Sequence, residues 1–123
     1  MLNSVSISRH RFLSLWLMRL ATDRIARQRP APDPRPLVVT GKRGNVERLT
    51  AVDAAAERLG LRPGLALAEA RARHPDLAVV AEHPADDRRL LDDLADWCQR
   101  YTPLLAVDPP DGLLLDIAGC AQL

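Results

Sequence analysis

The chain has 123 residues, enough for one compact domain and too few for a second full one, and its 47% hydrophobic content supplies a core without requiring a membrane. Only 3% of the residues are aromatic (Phe12, Trp16, Trp97 and Tyr101), so the core is aliphatic and a platform of base-stacking rings is excluded. The formal charge of +1 rules out a bulk polycation, yet residues 1–50 carry ten basic and three acidic side chains while residues 51–123 carry seven and thirteen, so the basic half either faces a polyanion or neutralises the acidic half within the fold.

Residues 1–11 (MLNSVSISRHR) lack periodicity and read as a disordered tail. The apolar run Phe12 to Leu17 reads as a strand buried on both faces, because it is too short and too soon interrupted by Arg19 for a secretory signal. Ala21 to Gln28 suits a brief helix, which the four prolines of Arg29 to Pro36 (RPAPDPRP) stop and turn into an extended loop. Leu37 to Thr40 is β-branched and strand-like, Gly41 to Asn45 is a turn, and Val46 to Leu49 returns as a second strand. Thr50 with Asp53 matches a capping box for a helix from Ala51 to Leu59 that Gly60 closes. A second helix, Ala66 to Arg73, ends before Pro75, and Leu77 to Ala81 is a further strand. Leu90, Leu91, Leu94, Trp97, Cys98 and Tyr101 recur at helical spacing and predict the longest helix, Ala85 to Tyr101. Leu104 to Val107 and Leu113 to Ile117 flank Pro109-Pro110-Asp111-Gly112 and read as a β-hairpin. This order implies an α/β (α+β) fold, a mixed β-sheet flanked by helices over residues 12–123.

Candidate chemistry is sparse. His10, His74 and His83 share no metal-ligand spacing with Cys98 or Cys120, and the two cysteines lack a C-x-x-C pair, which suits reduced thiols in the cytoplasm. Gly41-Lys42-Arg43-Gly44 is not a phosphate-cradling loop; it is an ordinary hairpin turn, or Lys42, Arg43 and Arg48 touch a nucleic-acid backbone. Asp108, Asp111 and Asp116 cluster at the hairpin, as turn formers or as remnants of the acidic sets that hold Mg²⁺ for phosphoryl transfer.

Five segments, taken in order, go further. Leu15-Trp16-Leu17 with Leu20-Ala21-Thr22-Asp23-Arg24, then Ala51 through Gly64 (AVDAAAERLGLRPG), then Arg100-Tyr101-Thr102-Pro103-Leu104, then Asp111 through Gly119 (DGLLLDIAG), resemble the amino-terminal palm portion of Y-family (UmuC-like) translesion DNA polymerases, and most of all their ImuB-like branch. Active members open on a strand D-x-D-x-F-[FY], whose first Asp binds Mg²⁺. Here Trp16 and Met18 stand at the two acidic positions and Ala21 at the gate that excludes a ribose hydroxyl. The triphosphate-binding Tyr and Arg of the family's A-S-Y-E-A-R correspond to Ala54 and Glu57, and the Asp-Glu pair of its palm hairpin to Asp111 and Gly112.

A single carboxylate does not neutralise two metal ions and a triphosphate, so no metal, no cofactor and no catalytic residue is assigned; Mg²⁺ is expected only of an active site. The resemblance implies a noncatalytic adaptor in DNA repair, translesion synthesis and damage-induced (SOS) mutagenesis. Its implied partners are DNA, an error-prone replicative-type polymerase, a helper protein and the sliding clamp, in the cytoplasm and without membrane attachment. It also implies a truncated product, since the family continues into thumb and little-finger domains. Two alternatives stay open: an active nucleotidyltransferase palm completed by another chain, and a stand-alone interaction domain with no DNA role. The structural expectations are that Phe12 to Leu17 shares a sheet with the terminal hairpin, that Ala51 to Leu59 and Ala85 to Tyr101 pack around that sheet, and that Trp16 lies near Asp111, buried or in an apolar patch.

Overall fold

A computed structural model describes residues 2–7, 11–100 and 105–116. In chain order the elements are β1 (Leu2–Ile7), β2 (Arg11–Trp16), α1 (Leu20–Gln28), β3 (Leu37–Arg43), β4 (Val46–Val52), α2 (Ala54–Arg58), α3 (Leu67–Arg73), β5 (Ala78–Ala81), α4 (Pro84–Cys98), β6 (Leu105–Asp108) and β7 (Gly112–Asp116). They divide into a split unit, Met1–Met18 with Pro84–Leu123, and a continuous unit, Arg19–His83.

The split unit is an antiparallel sheet in the order β1-β2-β7-β6. The Pro-Pro-Asp-Gly turn closes the β6–β7 hairpin, and Leu15 pairs with Leu113 while Trp16 pairs with Gly112, so the expected shared sheet is present. Side chains alternate across a strand. Leu113 and Leu115 are accordingly buried at 2% and 4% exposure, while Leu114 between them is 39% exposed. Helix α4 packs on β6 and β7, burying Leu91 and Ala95, and Asp86 and Asp87 occupy its first turn, where carboxylates favour the positive end of the helix dipole.

Two expectations for this unit are corrected. The segment read as a disordered tail contains strand β1, whose alternation in the sequence is broken by a register shift between Leu2 and Ser4; pairing with β2, a non-local effect, satisfies its backbone. Strand β2 is not buried on both faces: Leu13 and Leu15 are half-buried and Trp16 is 44% exposed, because α4 covers one side of the sheet alone. Helix α4 ends at Cys98; Tyr101, Leu104, Ile117 and Cys120 lie outside the described residues.

The continuous unit holds the doubly buried strand. Its sheet runs β4-β3-β5, with β3 antiparallel to β4 and parallel to β5. Val38, fully buried, faces Leu49, Ala56, Leu61, Ala70 and Leu77, while Leu37 and Val39 sit with Ile25 and Ala78 in a second cluster. Each valine, leucine and isoleucine among them contributes about 1.5–3 kcal/mol of burial. The uninterrupted Leu-Val-Val-Thr run matches a strand covered on both sides.

Strand β4 continues through Val52, so the helix expected from Ala51 starts at Ala54 instead and Thr50 lies in the sheet, its hydroxyl donating to the Val39 carbonyl. Asp53 is the cap: its Oδ1 accepts from the Ala56 amide at 2.8 Å. Gly60, at φ +85°, ends the helix; its amide donates to the Glu57 carbonyl and the Leu61 amide to that of Ala56, the paired bonds of a Schellman motif. That turn drops Leu61 into the core. Helix α2 therefore packs on β3 and β4 and not on the sheet of β2 and the hairpin, and the expected mixed α/β fold is present as two small sheets with helices packed on them.

Candidate functional site

Of the residues that the resemblance sets at acidic positions, Trp16, Asp111 and Gly112 come together at the end of the split unit's sheet. The Trp16–Gly112 pairing brings the last residue of β2 against the first of β7, and the Leu17 amide donates to the Asp111 carbonyl at 2.8 Å. This register carries the Trp16 indole to the hairpin tip, where Nε1–H donates to Asp111 Oδ2 at 2.9 Å. The expected proximity holds; of the two surroundings expected for Trp16, burial or an apolar patch, burial is not found. Trp16 is 44% exposed, its polar edge satisfied by a carboxylate at the rim, and exposed Leu114 lies in the next cross-strand row on the same face of the sheet. Met18 is exposed as well, at 48%.

This donor set does not fit Mg²⁺, which takes hard oxygen ligands in octahedral array. Two of the positions are apolar, and the remaining carboxylate has one oxygen committed to an indole N–H. Gly112 adds nothing: a β-carbon there would stand 3.0 Å from the Asp108 carbonyl oxygen and 3.4 Å from that of Leu15, so the position is shaped for no side chain. Among the described residues, no three His, Cys, Asp or Glu side chains converge as a metal site.

The other family positions lie in the continuous unit. Ala21 is half-buried and packs against the Ile25, Leu37, Val39 and Ala78 cluster, a small residue serving helix-to-sheet packing. Ala54 is the first residue of α2 and lines an open cleft of about 420 Å³ between α1, the proline-rich loop and the start of α2. Three arginines (Arg19, Arg29, Arg35) and three aspartates (Asp23, Asp33, Asp53) line it, so it carries no excess positive charge to hold a polyphosphate. Asp33 accepts from the Arg35 guanidinium and from its backbone amide; these bonds hold its pKa down at about 2. Glu57 is paired with Arg19, Nη2 to Oε2 at 2.8 Å. No local pattern signals that pair, since the partners stand 38 residues apart in the chain.

The basic hairpin is only partly turned outward. Arg43 makes a two-pronged pair with Glu82, at 2.8 and 3.0 Å, which raises the guanidinium's pKa and lowers that of the carboxyl. Gly41 makes room for that carboxylate, which occupies the space a side chain would need. Arg48 donates one N–H to the Gly64 carbonyl at 2.8 Å. Lys42 is exposed near the hairpin tip.

The sequence profile of the impB/mucB/samB family matches residues 20–123. The chain belongs to that family. Protein ImuB of Caulobacter vibrioides is 48% identical over 65 residues, a stretch that spans 53% of this chain and 14% of that protein. Among solved structures, a post-insertion binary complex of Dbh DNA polymerase superposes with a TM-score of 0.79 at 16% identity, covering 86% of this chain and 31% of that one. DinB from Sulfolobus solfataricus gives 0.70 at 17% identity, covering 85% and 30%. At such identities the likeness is one of fold, and it makes this mixed α/β chain structurally similar to less than a third of a Y-family polymerase. Among the described residues no helix is long and apolar enough to cross a membrane.

Proposed function

We propose that this chain is a noncatalytic polymerase-like module that acts as an adaptor in DNA repair, translesion synthesis and damage-induced mutagenesis. The observation that carries the reading is the Trp16–Asp111 hydrogen bond: where a phosphoryl-transfer site needs converging carboxylates, this chain has an indole occupying the one that remains. Family membership and the relative named Protein ImuB support the biological setting. In this reading the chain works in the cytoplasm beside an error-prone replicative-type polymerase, a helper protein and the sliding clamp, and it touches the DNA backbone through Lys42, with Arg43 and Arg48 adding their outward N–H groups.

Purified chain with a primed template should show no extension in Mg²⁺ or Mn²⁺; template-directed incorporation that copurifies with the chain and disappears in Asp111→Ala overturns the reading. Calorimetric titration with Mg²⁺ and a nucleoside triphosphate should likewise show no metal-dependent binding in the micromolar range. For the DNA contact, Lys42→Ala should lower the salt dependence of duplex binding by about one counterion. An unchanged salt slope removes Lys42 from the interface.

A further inference from the structure

The face of the split unit's sheet opposite Leu113 and Leu115 has a defined chemistry. By register, Trp16, Gly112 and Asp108 form one cross-strand row and Ser14, Leu114 and Ala106 the next, all on the side opposite buried Leu113 and Leu115. Trp16 and Leu114 are 44% and 39% exposed, and Ala106 and Asp108 are exposed too. The indole is held by Asp111, so an aromatic anchor is already oriented, and Gly112 interposes no side chain between the ring and Asp108.

We propose that this face docks a protein segment in which an arginine is flanked by apolar side chains, the guanidinium lying over the Trp16 ring against the Asp111 and Asp108 carboxylates and the apolar neighbours on Leu114 and Ala106. Charge complementarity selects this occupant. A guanidinium gains both from an aromatic face and from a carboxylate. A nucleic-acid strand stacking on Trp16 would set its phosphates against the two carboxylates. A second copy meeting this face through a two-fold axis would bring the same acidic patch from both copies into one interface. The split unit as a whole, with five basic and eight acidic side chains, also favours a cationic partner. This assignment goes beyond the adaptor reading and concerns a different question from primer extension, so either can fail alone.

The test uses the full chain labelled with ¹⁵N and the Trp16 indole N–H as reporter, its signal assigned by its loss in Trp16→Phe. The probes are three soluble peptides, an acetylated Leu-Arg-Leu amide, its Leu-Glu-Leu counterpart and its Leu-Gln-Leu counterpart, and an oligothymidylate. The arginine peptide should shift the indole signal saturably, with a dissociation constant on the order of 1 mM. The other probes should not. Asp111→Asn, which keeps the shape and removes the charge, should weaken binding at least about fivefold, as should Trp16→Leu, read then from the Leu114 amide, with the spectrum elsewhere unchanged. Equal shifts by the glutamate or glutamine peptide, a response to the oligothymidylate, a shift that depends on chain concentration alone, or no response to the arginine peptide each overturn the proposal.

Discussion

The split unit contains all four aromatic residues and a net charge of −3, whereas the continuous unit has no aromatic residue and, with twelve basic and eight acidic side chains, a net charge of +4. The two also bury their strands differently: β3 is covered on both faces by aliphatic clusters, while the sheet around β2 has one face under α4 and the other carrying exposed Trp16 and Leu114. An overall charge of +1 conceals this contrast. The spatial units separate charge in the same sense as the first and second halves of the sequence but less fully, +4 against −3 compared with +7 against −6, and each unit offers a different kind of partner a matching surface.

The largest expected test of that contrast is Leu61→Ala in the continuous unit. Leu61 is fully buried and has no aromatic neighbour to fill the gap, so the loss should be about 3 kcal/mol, read from reduced hydrogen-exchange protection of the β3 amides. A change below about 1 kcal/mol would show that the aliphatic cluster collapses around the void and is packed more loosely than its burial indicates. Gly112→Glu probes the split unit, where the β-carbon meets backbone at 3.0 Å; a cost of roughly 2 kcal/mol in urea-induced unfolding followed by tryptophan fluorescence is expected. Asp53→Ala removes the α2 cap and should cost about 1 kcal/mol, seen as a lowered Tm.

The smallest effect is one of pH. Asp33 has its carboxyl pKa depressed to about 2 by Arg35, so the stability it contributes is present above the ordinary carboxylate pKa and is lost as pH falls from about 4 toward 2. Asp33→Asn should flatten that segment of the acid-unfolding curve slightly. An unchanged profile would mean that the exposed pair is screened by solvent.

Local chemistry was legible wherever it decided the outcome. The Pro-Pro-Asp-Gly turn announced the β6–β7 hairpin, the prolines of residues 29–36 announced the loop, and Gly60 announced the end of α2. Competition between signals explains the start of that helix: Thr50 matched a capping box, but ladder pairing with β3 extended the strand through Val52 and left Asp53 to cap. Strand β1 depends on a partner remote from its own sequence pattern, and its broken alternation hid it. At the candidate site the identities at Trp16, Met18, Asp111 and Gly112 were readable. Their arrangement was only half so, because the resemblance set an apolar ring at an acidic position of the family but not its N–H edge against the neighbouring carboxylate.

That hydrogen bond also makes substitution at position 16 costly in one direction. Trp16→Asp deprives Asp111 of its donor and sets two carboxylates beside each other, while Gly112, walled by the Asp108 and Leu15 carbonyls, resists the third acid that would help bring a cation to them. Each single step toward an acidic cluster should thus be less stable than the sequence it leaves, a barrier built from two strand ends and one side-chain bond.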